Sequence, residues 1–319
     1  VWWMYMVRRP ELVSAFSVIA ERSDVKPLAK ATLIARLGVM YAQAGEVELS
    51  SGCLSAVFAS LDELQLELRL GVLLCEAENQ ALLGDFGRSS ELLSAAETCL
   101  SGAEEALLVR YDLSRAYVGV VKSDLEDARR SYQSAVKRLD GFVWVDAKIK
   151  ALGGLAEVLR LSGAYAESEA AAREAVSLGR KWANPDAHEF STSQLCLTLA
   201  LAGNVAEVIE LAIECLQSLK RGDFDVDAIE RVGLAVYLVS SEGVNFREEV
   251  ARSAREIISF SAGSLTRTQR EYKLESVSDQ RSVRPTLALS SERKTLIRQQ
   301  AETLERSLRL LSKGDLSDG

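Results

Sequence analysis

Leu33–Gly45 reads LIARLGVMYAQAG, and Leu152–Gly163 reads LGGLAEVLRLSG. Each is an apolar helical segment that stops at a glycine, followed by a polar turn and a second helix rich in Ala and Leu. Leu73–Gly84 (LLCEAENQALLG) and Ser193–Gly203 (SQLCLTLALAG) repeat the pattern, and Arg231–Gly243 (RVGLAVYLVSSEG) is a further copy. Val109–Val121 (VRYDLSRAYVGVV) is a weaker copy with Val in the glycine position. The turns then fall at 45, 84, 121, 163, 203 and 243, at intervals of 37 to 42 residues. A fixed period of this size is the signature of a helical-repeat architecture. Glycine belongs at the stop because helices commonly end on a left-handed residue, a conformation glycine adopts without steric cost.

The residues after each turn are polar (Glu46, Asp85, Ser123-Asp124, Asn204) and are suited to capping the second helix. The second helices carry small or apolar residues three, four or seven apart, which places them on one face. Examples are Leu93 and Ala96; Ala128, Tyr132 and Ala135; Ala172 and Ala175; and Ala212 and Cys215. The composition agrees. The chain has 47 Leu and 40 Ala against 4 Pro, with none between 28 and 184, so long helices meet no breaker. The expected fold is all-α, with about six helix pairs and a C-terminal helix.

Ile34, Leu37, Gly38, Tyr41 and Gly45 in the first copy, with Tyr117, Ala128, Tyr132 and Ala135 in the third, resemble the tetratricopeptide-repeat motif. The likeness covers residues 27–260. It departs from the family in a period near 40 and in lacking the proline that closes each repeat. In that respect the chain is similar to the helical sensor regions of large bacterial regulators, such as maltose-responsive activators of the MalT type. The resemblance implies a right-handed α-α superhelix, a TPR-like solenoid, whose first helices line a concave wall for extended partners. Counted from the turns, the family's inward positions fall on Gln43, Glu78, Tyr111, Arg115, Glu157, Arg160 and Tyr237. Both charge signs occur among them, which suits a protein or peptide partner better than phosphate.

Residues 1–26, including the amphipathic stretch Pro10–Arg22, read as a capping helix or half repeat. Residues 27–260 form the solenoid, 261–290 a polar linker, and 291–319 an amphipathic helix with a tail. In that helix Ile297, Ala301, Leu304, Leu308 and Leu311 form a heptad stripe. The stripe fits a helix folded back over the last repeat, a homodimer seam (Ile297, Leu304, Leu308, Leu311), or a partner-binding helix.

The net charge of −8 is uneven: residues 1–260 hold 27 basic and 38 acidic residues, and 261–319 hold 11 and 8. An acidic body is poorly suited to nucleic acid, where affinity comes mainly from Lys and Arg on phosphates. The five cysteines lie in apolar surroundings without C-x-x-C spacing, and there is one histidine, His188, so they read as reduced buried thiols rather than metal ligands. His188 follows Asn184-Pro185-Asp186, a helix start, and reads as structural or solvent-facing. Gly153-Gly154 within a helical pattern points to close helix packing, and Trp144 and Trp182 to packing between repeats. No Gly-rich phosphate loop, zinc-protease motif or nucleophile elbow occurs. No apolar stretch spans a bilayer, and Val1–Val7 lacks the features of a signal peptide. The expectation is therefore a cytoplasmic chain with no enzymatic activity, cofactor or metal: a scaffold or adaptor that binds a protein or peptide. The alternative is a regulatory sensor domain that binds a small molecule or signal peptide in a bacterial transcription or signalling system.

Overall fold

A computed structural model describes residues 24–43, 46–141, 144–182, 185–217, 226–241, 248–260 and 291–312, preceded by Val18, Ile19 and Arg22. The described residues form six helical hairpins and one further helix. The hairpins are α1 (Pro27–Gln43) with α2 (Val47–Ala56), α3 (Leu66–Leu82) with α4 (Phe86–Thr98), and α5 (Glu105–Val121) with α6 (Leu125–Leu139). These are followed by α7 (Val145–Leu161) with α8 (Tyr165–Trp182), α9 (Pro185–Leu201) with α10 (Val205–Gln217), and α11 (Val226–Ser241) with α12 (Glu248–Phe260). The last helix is α13 (Ser291–Ser312). A 3-10 turn, Phe58–Glu63, follows α2. The first helices of the pairs begin at Pro27, Leu66, Glu105, Val145, Pro185 and Val226, a step of 39 to 41 residues.

The turns share one construction. Gly84, Gly163 and Gly203 are left-handed, with φ of 85°, 77° and 76°. In the third hairpin the left-handed residue is Ser123, with φ 63°. The expected turn at Val121 is thus two residues early, because Val121 is still helical and the left-handed residue is not a glycine. With Ser123 in place the turns stand 39, 40 and 40 apart. The N–H after each left-handed residue reaches back five: Asp85 to the Gln80 carbonyl, Asp124 to Gly119, Ala164 to Leu159 and Asn204 to Leu199, at 2.8 to 3.0 Å. This is the Schellman closure, which satisfies carbonyls a helix end leaves without partners. The same residues then start the next helix. Asp85 Oδ1 accepts from the Arg88 N–H (2.9 Å), and Asp124 Oδ1 from the Asp127 N–H (3.1 Å). Gly45, Gly243 and Asn184, also read as turn or cap residues, lie outside the described residues.

Within hairpins, a buried serine of the second helix donates to a carbonyl of the first, twelve residues earlier. The pairs are Ser50 to Gly38 (2.8 Å), Ser89 to Ala77 (2.8 Å) and Ser168 to Ala156 (2.7 Å). Gly38 faces Leu54 so closely that a Cβ would sit 2.5 Å from Leu54 Cδ2. That contact accounts for glycine at the residue that carries much of the motif resemblance.

The chain divides into two compact units, residues 1–138 and 139–319. In the first, α1 packs beside α3 and α3 beside α5, while α2 fills the space against α3 and α4 that against α5. Its cores centre on Ala35, Val39, Leu54 and Val72, and on Leu70, Leu74, Leu92 and Ala96. In the second, α7, α9 and α11 pack side by side in the same way. Its main described core draws on residues from Ala156 to Leu308. Gly153 of α7 admits Phe190 of α9: a Cβ there would lie 2.2 Å from Phe190 Cε1. Trp144 is half-buried, whereas Trp182 is 51% exposed and so is not the inter-repeat core residue expected.

The C-terminal helix packs on α10 and α12. Ile297, Ala301, Leu304 and Leu308 are 0% exposed within the core of the second unit. The stripe is therefore covered by the chain's own helices. A dimer seam through Ile297, Leu304 and Leu308 would require that core to open, and the Leu311 side chain lies outside the described residues. The segments 1–17, 261–290 and 313–319, which carry the cap, linker and tail readings, lie outside the described residues as well.

Candidate partner-binding face

Equivalent positions on successive first helices are found by counting back from the left-handed turn residue. Six residues before it stand Glu78, Tyr117, Glu157 and Leu197, one each on α3, α5, α7 and α9. Glu78 and Glu157 are half-buried, Tyr117 is 37% exposed, and Leu197 is fully buried. Side chains at one position on adjacent parallel helices form a row across them. In the first unit that row is Glu78 beside Tyr117, and one heptad earlier Gly71 stands beside Arg110.

The sequence-derived set maps unevenly onto these rows. Glu78 and Glu157 fall in place. Arg115 does not, because the two-residue error at Val121 put it where Tyr117 stands. It forks Asp127 of its own hairpin, Nε to Oδ2 at 3.1 Å and Nη2 to Oδ1 at 2.8 Å, and this hydrogen-bonded pair holds the Asp127 carboxyl below its usual range. Tyr111 is also displaced. It is 6% exposed in a core with Leu70, Leu74 and Leu92, and burial pushes its phenol up. Arg160 is buried at 5%, on the last turn of α7. Tyr237 is half-buried against the second core, with the Arg255 guanidinium 6.0 Å from its ring centre. Gln43 ends α1, and its side chain lies outside the description.

Two residues of this face were missed, Tyr117 and Arg110. The available signal was Ser123-Asp124, the polar pair that marks the true turn.

His188 Nε2 lies 2.9 Å from Glu214 Oε1, and Glu214 is also held by Arg180. Cys75, Cys196 and Cys215 are buried, and burial pushes the Cys75 thiol up to about 12. Among the described residues no cluster of three His, Cys, Asp or Glu could hold a metal ion. No described helix is long and apolar enough to cross a membrane.

Solved structures show the same architecture. A signal-transduction ATPase of the STAND class with a tetratricopeptide-repeat sensor, from Pyrococcus horikoshii, superposes with a TM-score of 0.57 at 10% identity, over 86% of this chain and 45% of that one. This chain therefore spans about half that protein's length. The apo form of RapI gives 0.56 at 10% identity, over 98% and 97% of the two chains. A Rap protein complexed with competence and sporulation factor gives 0.61 at 13%, over 98% and 93%. The chain has the tetratricopeptide-like helical-repeat fold. At these identities the likeness extends to the fold alone. No family model matches the sequence, and no curated protein matches it significantly.

Proposed function

We propose that this tetratricopeptide-like chain is a non-enzymatic binding module that takes a protein or peptide segment on the exposed side of its first helices. The observation that carries the reading is the row of equivalent positions across α3 and α5, where an exposed Tyr117 stands beside a half-buried Glu78. An extended chain can use such a row because each repeat presents the same position one step further along. A tyrosine there offers large contact area at low entropic cost. The Rap protein complexed with a factor supports a binding role, and the neighbour carrying a repeat sensor supports a regulatory one.

The test is selection of a random decapeptide library on the intact chain, with selected sequences re-measured in solution by fluorescence anisotropy. Saturable binders are expected, and a library that yields none rejects the reading. The sensor alternative predicts a different outcome. For a small-molecule signal, a thermal-shift screen of metabolites would raise the melting temperature while the peptide library stays empty; for a signal peptide, the library would yield binders of one narrow sequence.

A further inference from the structure

Arg110 of α5 lies across the neighbouring first helix at Gly71 of α3. A Cβ at Gly71 would sit 2.9 Å from Arg110 Nη2 and 3.2 Å from Nη1, so the guanidinium lies in the space a side chain there would take. The group is half-buried and lies beside the Cys75 thiol, a weak acceptor at best. Several arginines of the first unit have carboxylates (Arg69 has Asp62, Arg88 has Glu91, Arg115 has Asp127, and Arg138 has Glu105 and Asp112), whereas Arg129 on α6, like Arg110, lies within 4 Å of none among the described residues. Arg110 has no carboxylate partner among the described residues. It precedes Tyr117 by seven residues, so both stand on one side of α5.

We infer that Arg110, seated on Gly71, is the anion-recognition point of this face, and that the bound segment is a peptide carrying an Asp or Glu side chain there, with an apolar residue one step along on Tyr117. This rests on the peptide-binding reading above. A guanidinium held in place offers a carboxylate two parallel N–H donors. The acidic balance of residues 1–260 does not cancel this. Glu78 acts on the same Cys75 thiol as Arg110 and is a nearby negative charge on this face, whereas exposed charges more than about 8 Å away are largely screened at physiological salt and a direct fork is not. The cation sets register and orientation, and the protein's overall field supplies no steering toward an acidic partner.

The experiment runs the random decapeptide selection in parallel on the intact chain, Arg110→Gln, Arg110→Glu and, as control, Arg129→Gln on α6, each first checked for an unchanged helical spectrum. The intact chain and Arg129→Gln are expected to enrich Asp or Glu several-fold at one position. Arg110→Gln should lose that enrichment, and Arg110→Glu should replace it with Lys or Arg. Binders without acidic enrichment, or enrichment that survives Arg110→Gln, would overturn the inference and leave the peptide-binding reading standing. An empty library on the intact chain would overturn both.

Discussion

Arg173 of α8 grips Glu207 of α10 with both ends of its guanidinium, Nη1 to Oε1 at 2.6 Å and Nη2 to Oε2 at 2.7 Å. Seven residues further along both helices, Arg180 grips Glu214 at 3.3 and 2.7 Å. The two forks fix the second helices of consecutive hairpins in register. The Arg173 hydrogen bonds hold Glu207 below the ordinary glutamate value of 4.5. Burial pushes Glu214 up, but Arg180 and His188 outweigh it and hold that carboxyl low as well. A folded-state value below the unfolded one gives stability that is present above pH 4.5 and lost as pH falls through the lower folded value. A double-mutant cycle of Arg173→Gln and Glu207→Gln should therefore show coupling of about 1 kcal/mol near neutrality. Urea unfolding across pH should show that coupling fading below pH 4.5. Coupling independent of pH would contradict the assignment.

Ser123 holds a left-handed conformation that costs a non-glycine residue about 1 kcal/mol. Ser123→Gly should stabilise the chain by roughly that amount, and Gly163→Ala should destabilise it similarly. Thermal unfolding of the two variants should move in opposite directions.

The same residue shows what the sequence could and could not disclose. The fold class and the step near 40 were legible because glycines at 84, 163 and 203 mark the turns directly. The third turn hid because a serine does glycine's work there, and the apolar run to Val121 looked like its end. A two-residue slip rotates a helix by more than half a turn. It therefore exchanged a core tyrosine and an ion-paired arginine, Tyr111 and Arg115, for the exposed Tyr117. The capping role of α13 was one of three readings open to its heptad stripe, since periodicity shows that a face is apolar but not what covers it.

Gly153→Ala should be costly, because its Cβ would meet the Phe190 ring. Overpacking of this kind costs about 1–3 kcal/mol. Phe190→Leu in the same chain should recover part of the loss, measured as urea midpoints. Additive losses would mean the clash lies elsewhere.

Gln194 on α9 is fully buried, and neither its Nε2 nor its Oε1 has a hydrogen-bond partner among the described residues. Its neighbours are satisfied: Ser193 donates to the Phe190 carbonyl at 2.8 Å and Thr198 to the Gln194 carbonyl at 2.9 Å. A buried unsatisfied amide costs about 1–3 kcal/mol, which an apolar side chain of similar shape removes. Gln194→Leu should raise the melting temperature, and a fall would show that the amide is satisfied in solution.

The central claim is that the exposed side of the first helices takes the partner, and anisotropy titration of one library-selected decapeptide tests it most directly. The titration compares the intact chain, Tyr117→Ala on α5, and Gln133→Ala on the exposed side of α6. The account predicts a loss of about tenfold or more for Tyr117→Ala, as for a truncated aromatic anchor, and no change for Gln133→Ala. Equal affinity for all three, or a loss confined to Gln133→Ala, would contradict it.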